Sequence, residues 1–123
     1  MDFKSKKAIF LQIADFVCEQ IVLRQWKEKD KIPSIRELAV NLAVNPNTVV
    51  RTYAFLEEKG IIEMQRGIGY FAAEHARNQA LKLKKEEFLT EDLPQIWKMM
   101  DLLNINLEDF KQLYDKRGQY EKE

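Results

Sequence analysis

A chain of 123 residues, 46% apolar and 33% charged, has the composition of one ordinary domain or two very small ones. Twenty basic side chains balance twenty acidic ones, and residues 1–73 (11 basic, 9 acidic) differ only slightly from residues 74–123 (9 basic, 11 acidic), so composition by itself assigns no nucleic acid. No apolar run approaches the roughly 18 residues of a membrane span, Gln12 and Asp15 interrupt the N-terminal apolar patch before any signal-type cleavage site, and a single cysteine, Cys18, excludes an internal disulfide framework and fits a reducing cytosol. A cytoplasmic protein without membrane contact is expected.

Ile9, Ile13, Phe16, Val17 and Ile21 recur at helical spacing and predict an amphipathic helix over residues 8–24. A polar connector, "WKEKDK", follows. In "IPSIRELAVNLAV", Ser34 and Glu37 have the spacing of a capping box, which starts a second helix near Ile35 that runs to about Ala43. Asn45 caps a third helix with Pro46 in its first position, Val49, Tyr53 and Leu56 form its buried stripe, and Gly60 ends it. Residues 61–65 and 70–73 have strand character on either side of "RGIG", whose two glycines predict a hairpin turn. From Glu74 the pattern is helical again, over 75–89, over 92–103 with Asp92 as cap and Pro94 in the first turn, and over 107–117 with Asn106 as cap and Gly118 as stop. The tail "QYEKE" is expected to fray. Two helices joined by about two residues and followed by a third element of hairpin type make a winged helix-turn-helix.

The stretch "KIPSIRELAVNLAVNPNTVVRTYAFLEEKGIIEMQRGIGYFAA" resembles the DNA-binding domain of the GntR family of bacterial transcription regulators. Pro33, Ser34, Arg36, Leu38 and Ala39 match the family's opening motif. Asn47, Thr48, Val49, Leu56, Glu57 and Gly60 match its recognition helix, and Gly67 and Gly69 its wing. The "NPNTV" variant and the short C-terminal region resemble the YtrA-like branch, in which a small helical segment dimerises. The chain departs from the pattern at Lys29, where the family usually has glycine. It departs again at Tyr70, where a small hydroxyl residue is usual, and at Val50, where a polar or basic residue is frequent. The resemblance implies a regulator of transcription, and weakly the control of a transport operon. The family's metabolite-sensing domains are larger than the remaining fifty or so residues, so an unidentified small-molecule effector is left open as a partner.

A recognition helix presents its N-terminal residues to base edges in the major groove. Asn45, Asn47, Thr48 and Arg51 lie on or beside the side opposite the buried stripe, and Val50 is suited to a thymine methyl group. Arg36 reaches a phosphate or a guanine edge, with Ser34 beside it, and Arg66 with the backbone at Gly67 brings the wing to the minor groove. Each feature has a plainer reading. Ser34 to Glu37 alone is a helix start, Asn45-Pro46 alone is a cap, Arg36 and Arg51 alone are solvated charges, and Gly67 with Gly69 is a turn. Their combination at these spacings, together with the family resemblance, points to double-stranded DNA.

Other residues carry less. His75 has no partner at metal-ligand spacing, Cys18 reads as a core residue, and Lys82–Glu87 reads as a solvated helix face. No nucleophile–base pair or phosphate loop stands out, so neither an enzyme nor a cofactor or metal site is expected. The apolar residues of 96–114, Trp97, Met99, Leu102, Leu103 and Phe110 among them, exceed what a short helical hairpin hides within itself, and predict an interface with a second chain. The expected architecture is mainly α. A winged helix-turn-helix of three helices and a β-hairpin spans 1–73, and a helical dimerisation segment spans 74–123. The protein would act as a homodimer, through its C-terminal helices, on a two-fold symmetric operator. The alternative is a winged-helix protein-interaction module that does not bind DNA.

Overall fold

Ile13, Ala14, Val17, Cys18 and Ile21 return every three or four residues, and the helix they form, α1 (Ile9–Val22), turns all five inward. This is the first element of a computed structural model that describes residues 7–119. Most of the tail expected to fray lies outside that range. Two helices follow, α2 (Ile35–Leu42) and α3 (Pro46–Glu58). The predicted capping box opens α2: the Ser34 hydroxyl accepts the Glu37 N–H at 3.1 Å, and the Glu37 carboxylate accepts the Ser34 N–H at 2.9 Å. Asn45 opens α3 by accepting the Asn47 N–H at 2.8 Å, with Pro46 in the first turn.

The helix ends share one device. At the end of α3 the Ile61 N–H reaches the Leu56 carbonyl and the Gly60 N–H reaches that of Glu57, both at 3.0 Å, with Gly60 at φ +72°. This is a Schellman motif, and it closes α1 and α2 as well, with Arg24 (φ 60°) and Ala43 (φ 54°) in the left-handed position that glycine takes most readily.

Strands β1 (Ile62–Gln65) and β2 (Gly69–Ala72) pair antiparallel, with Gln65 opposite Gly69 and Ile62 opposite Ala72. Gly67, at φ +78°, sits in the middle of the three-residue turn. The connector pairs with the other edge of β2, which the sequence did not suggest. Lys31 bridges Phe71, the Ile32 N–H donates to the Tyr70 carbonyl at 2.9 Å, and the Lys29 N–H donates to the Ala72 carbonyl at 2.9 Å. In this pairing Lys29 takes φ +68°.

Unit 1 of the chain ends at Lys85, and its core draws on every element so far. Val17 and Ile21, Leu38, Val49, Tyr53 and Leu56, and Ile61 and Ile62 are all at most 2% exposed. The next helix, α4 (Ala76–Glu87), contributes Ala76 and Ala80, both 0% exposed. Two longer side chains tie α4 to α1. The Arg77 Nε–H donates to the Val22 carbonyl at 3.1 Å, and Lys84 pairs with Asp15, which also pairs with Lys7 at 2.8 Å. The compact unit therefore continues past Ala73, where the winged-helix pattern stops.

The second compact unit, Glu86–Glu123, contains α5 (Leu93–Leu102) and α6 (Leu107–Asp115). Asn106 caps α6 as expected, in a capping box with Asp109. The expected break at Asp92 does not occur. Asp92 has helical angles and makes no cap, and the backbone passes from α4 through a π-helical turn, Phe88–Asp92, into α5. The reason lies at Pro94, which has no N–H and whose ring would crowd the carbonyl four residues back in a regular helix. The wider turn, with the Leu93 N–H bonded to the Phe88 carbonyl five residues earlier, accommodates it.

Two stability effects follow from these backbone angles and contacts. Lys29→Gly removes a left-handed lysine whose pairing with Glu74, at 3.5 Å on the surface, contributes little. It should stabilise by about 0.5–1 kcal/mol after the entropic cost of glycine. Gly60→Ala has the opposite sign and should cost about 1 kcal/mol, because an added Cβ meets nothing closer than 3.8 Å and only backbone strain acts. Urea midpoints at constant m-value check both. The second effect concerns Tyr53. Burial pushes its phenol above the ordinary 10.0, helped by the neighbouring Tyr70 and Glu37. The unfolded chain releases that proton near pH 10 while the folded chain keeps it, so stability present below pH 10 is lost as pH rises further. Tyr53→Phe should cost about 1–2 kcal/mol at pH 8 through its lost hydrogen bond, and should flatten the alkaline loss seen in denaturation between pH 9 and 11.

Candidate nucleic-acid interface

The candidate surface is built on two helix starts and a turn. Ser34 and Arg36 stand in the first turn of α2, and both are exposed. Along α3, one hundred degrees per residue separates Val49, Thr52, Tyr53 and Leu56, all 0% exposed, from an outward side that carries Asn47, Val50, Arg51 and Ala54. Asn45 is exposed beside them, Thr48 is half-buried on the flank, and Val50 is 48% exposed. At the wing, Arg66 and Gly67 are exposed in the turn between β1 and β2.

Two consecutive side chains orient α3. The Thr52 hydroxyl lies 2.7 Å from the Phe10 carbonyl of α1 and 3.1 Å from the Thr48 carbonyl one turn back. The Tyr53 hydroxyl donates to the Pro33 carbonyl at 2.6 Å, directly before the Ser34 cap. The Tyr53 ring also meets the Tyr70 ring edge-on, with centroids 4.8 Å apart. Tyr70, the departure from the family pattern in the wing, is thus a half-buried packing residue that joins β2 to α3.

Several polar groups are already engaged. The Ser34 hydroxyl and the Asn45 carbonyl oxygen are occupied as caps, which leaves the hydroxyl hydrogen of one and the amide nitrogen of the other for outside partners. The Glu37 carboxyl is held below its ordinary value by its bonds to the Ser34 backbone and side chain. Arg51 is exposed but not extended into solvent: its guanidinium stacks 3.9 Å over the Phe10 ring. Sequence spacing could not show that stack, because Phe10 is forty-one positions away. Lys31 was missed altogether. Its side chain passes 3.0 Å from where a Cβ on Gly69 would be, so its ammonium sits at the base of the wing. Local pattern offers no signal for it, because Lys27 to Asp30 form a turn and only Lys31 forms a β-bridge to β2. Among the described residues no group of acidic, histidine or cysteine side chains is arranged to hold a metal ion, and no helix is long and apolar enough to cross a membrane.

The family profile described as "Bacterial regulatory proteins, gntR family" matches residues 10–71. Among individual proteins, the uncharacterized HTH-type transcriptional regulator YhcF of Bacillus subtilis is 40% identical, with 87% of each chain covered. The HTH-type transcriptional repressor YtrA of the same organism is 38% identical over 78% of this chain and 73% of its own. A putative GntR-family regulator from Bacteroides thetaiotaomicron superposes with a TM-score of 0.76 at 38% identity, covering 94% of this chain and all of that one. These relatives are regulators of transcription and not enzymes, and the DNA-binding reading displaces that of a purely protein-interacting winged helix. The winged helix, the matching residues and the relatives agree: the chain belongs to the GntR family of DNA-binding bacterial transcription regulators.

Proposed function

We propose that the protein regulates transcription in the cytoplasm as a homodimer, each winged helix reading one half of a two-fold symmetric operator. The exposed apolar surface of the second unit carries the dimer reading. Leu102 and Leu107 are each 78% exposed, and Trp97, Met99 and Leu103 are each more than half exposed. An isolated chain would leave this surface against water, whereas a second copy of α5 and α6 would cover it. The first turn of α3 enters the major groove, with Asn45, Asn47, Thr48 and Arg51 toward base edges and phosphates and Val50 toward a thymine methyl. Ser34 and Arg36 contact the flanking backbone or a guanine, and Arg66 and Gly67 place the wing in the adjacent minor groove. The repressor named among the relatives supports repression as the direction of control, and a transport operon is the family-based expectation for the genes.

Arg36→Ala and Arg51→Ala should each weaken binding to a duplex selected from random sequence. A lost base contact reduces affinity by about 1–3 kcal/mol, and a lost phosphate contact lowers the salt slope by about one. Arg51→Ala should also cost about 0.5–1 kcal/mol of stability from the Phe10 stack. Fluorescence anisotropy at two salt concentrations reads the binding terms, and unchanged affinity in both variants sinks this placement of the DNA face. Leu102→Glu with Leu107→Glu should give a folded monomer in sedimentation, because neither side chain belongs to a packed core. Its affinity for the full operator should fall by roughly 10²–10⁴ while half-site preference persists. A dimer that survives both charges would move the interface elsewhere.

A further inference from the structure

Unit 1 contains a half-open surface cavity of about 300 Å³ that the DNA-contacting residues do not line. Ile21 at the end of α1, Arg24, Trp26, Lys27 and Glu28 in the connector, and Arg77 in the first turn of α4 line it. None of the residues assigned to the DNA face is among them. The lining has a consistent chemistry. Three of the lining residues are cationic and one is acidic, and no ion pair among the described residues engages Arg24, Lys27 or Arg77. Arg77 is pre-oriented, because its Nε–H is committed to the Val22 carbonyl at 3.1 Å, which leaves the four Nη–H donors of the same planar group outside that bond. Trp26 is likewise fixed, packed edge-on against Phe16 with centroids 6.1 Å apart. The fixed indole supplies an apolar wall, and guanidinium groups bind carboxylate or phosphate in a planar fork and stack on aromatic faces. The volume stands at the lower end of small-molecule sites, which run from about 300 to 1,000 Å³.

We propose that this cavity binds a small aromatic anion, with the carboxylate or phosphate on Arg24, Lys27 and Arg77 and the ring against Trp26. The inference concerns ligand binding alone and does not depend on the DNA assignment.

The test is calorimetric titration of the full chain with phenyl phosphate and benzoate, with phenol and inorganic phosphate as controls. Both aromatic anions should bind at least about tenfold more tightly than phenol, since a hydrogen bond to a charged group is worth roughly that factor or more, and more tightly than inorganic phosphate, which lacks the ring that is buried against the indole. Arg24→Gln with Lys27→Gln should reduce their affinity at least tenfold, and the indole N–H resonance of Trp26 should shift on titration of the wild type. Glu28→Gln, which removes the opposing carboxylate, should tighten binding several-fold and provides an independent reading if the double variant does not fold. Equal binding of phenol and phenyl phosphate, a Trp26 resonance that stays in place, or an affinity indifferent to these substitutions overturns the proposal. So does a fall of about two in the salt slope of DNA binding in the double variant, because the cations would then belong to a phosphate track.

Discussion

Tyr53 is the constraint on which the candidate surface depends. It stands in the middle of α3 with no exposure, and it touches both neighbours of that helix. Its hydroxyl reaches the Pro33 carbonyl at 2.6 Å and so locates the start of α2; its ring reaches Tyr70 and so locates the wing. The next residue back, Thr52, connects the same helix to α1 through the Phe10 carbonyl. Three surface segments far apart in sequence are thereby referenced to adjacent side chains of one helix. A contact surface for a rigid duplex needs such referencing, because its reading groups must be placed to within a fraction of an ångström by residues that do not themselves touch the target.

The packing of α4 explains why the compact unit is larger than the motif. Ala76 and Ala80 are small enough for the helix backbone to approach the core closely, and both are completely covered. Arg77 adds a donor to the end of α1, where carbonyls lack helical partners and the helix dipole favours a cation. Lys84 adds a charge about two turns later, on an Asp15 carboxylate that remains 36% exposed and that Lys7 shares. Such half-solvated pairs contribute little individually. The buried alanines carry the attachment and the charges set its register.

Much of this was legible in the sequence because local chemistry dictates it. The Ser34–Glu37 box, the Asn45 and Asn106 caps, the Gly60 stop and the hairpin around Gly67 are all decided within a few residues, and all stand where the pattern places them. Helix ends are harder to read because, among the described residues, three of the four left-handed closures use Arg24, Ala43 and Asn104, and only Gly60 is the residue that signals one. Pro94 stands in the first turn of α5 as its position suggests, but Asp92 does not cap that helix, because a π turn carries helical backbone through it, a register shift no composition reveals. The outward positions of α3 followed from periodicity. The Arg51–Phe10 stack, the Lys31 approach to Gly69 and the bridge from Lys31 to Phe71 of the wing did not, since each is a meeting of segments that only the folded core brings together.

Cys18 gives the molecule a use for its core that has nothing to do with recognition. It is the chain's single cysteine and is 1% exposed, on the same buried face of α1 as Val17 and Ile21. A thiol reagent too large to enter a close-packed interior modifies it only when α1 lifts from its neighbours. Where reclosing outpaces modification, the labelling rate measures the free energy of that opening; where it does not, the rate measures the opening itself. The native sequence thus contains an internal stopwatch for the separation of α1 from the core, readable by mass spectrometry with no introduced label.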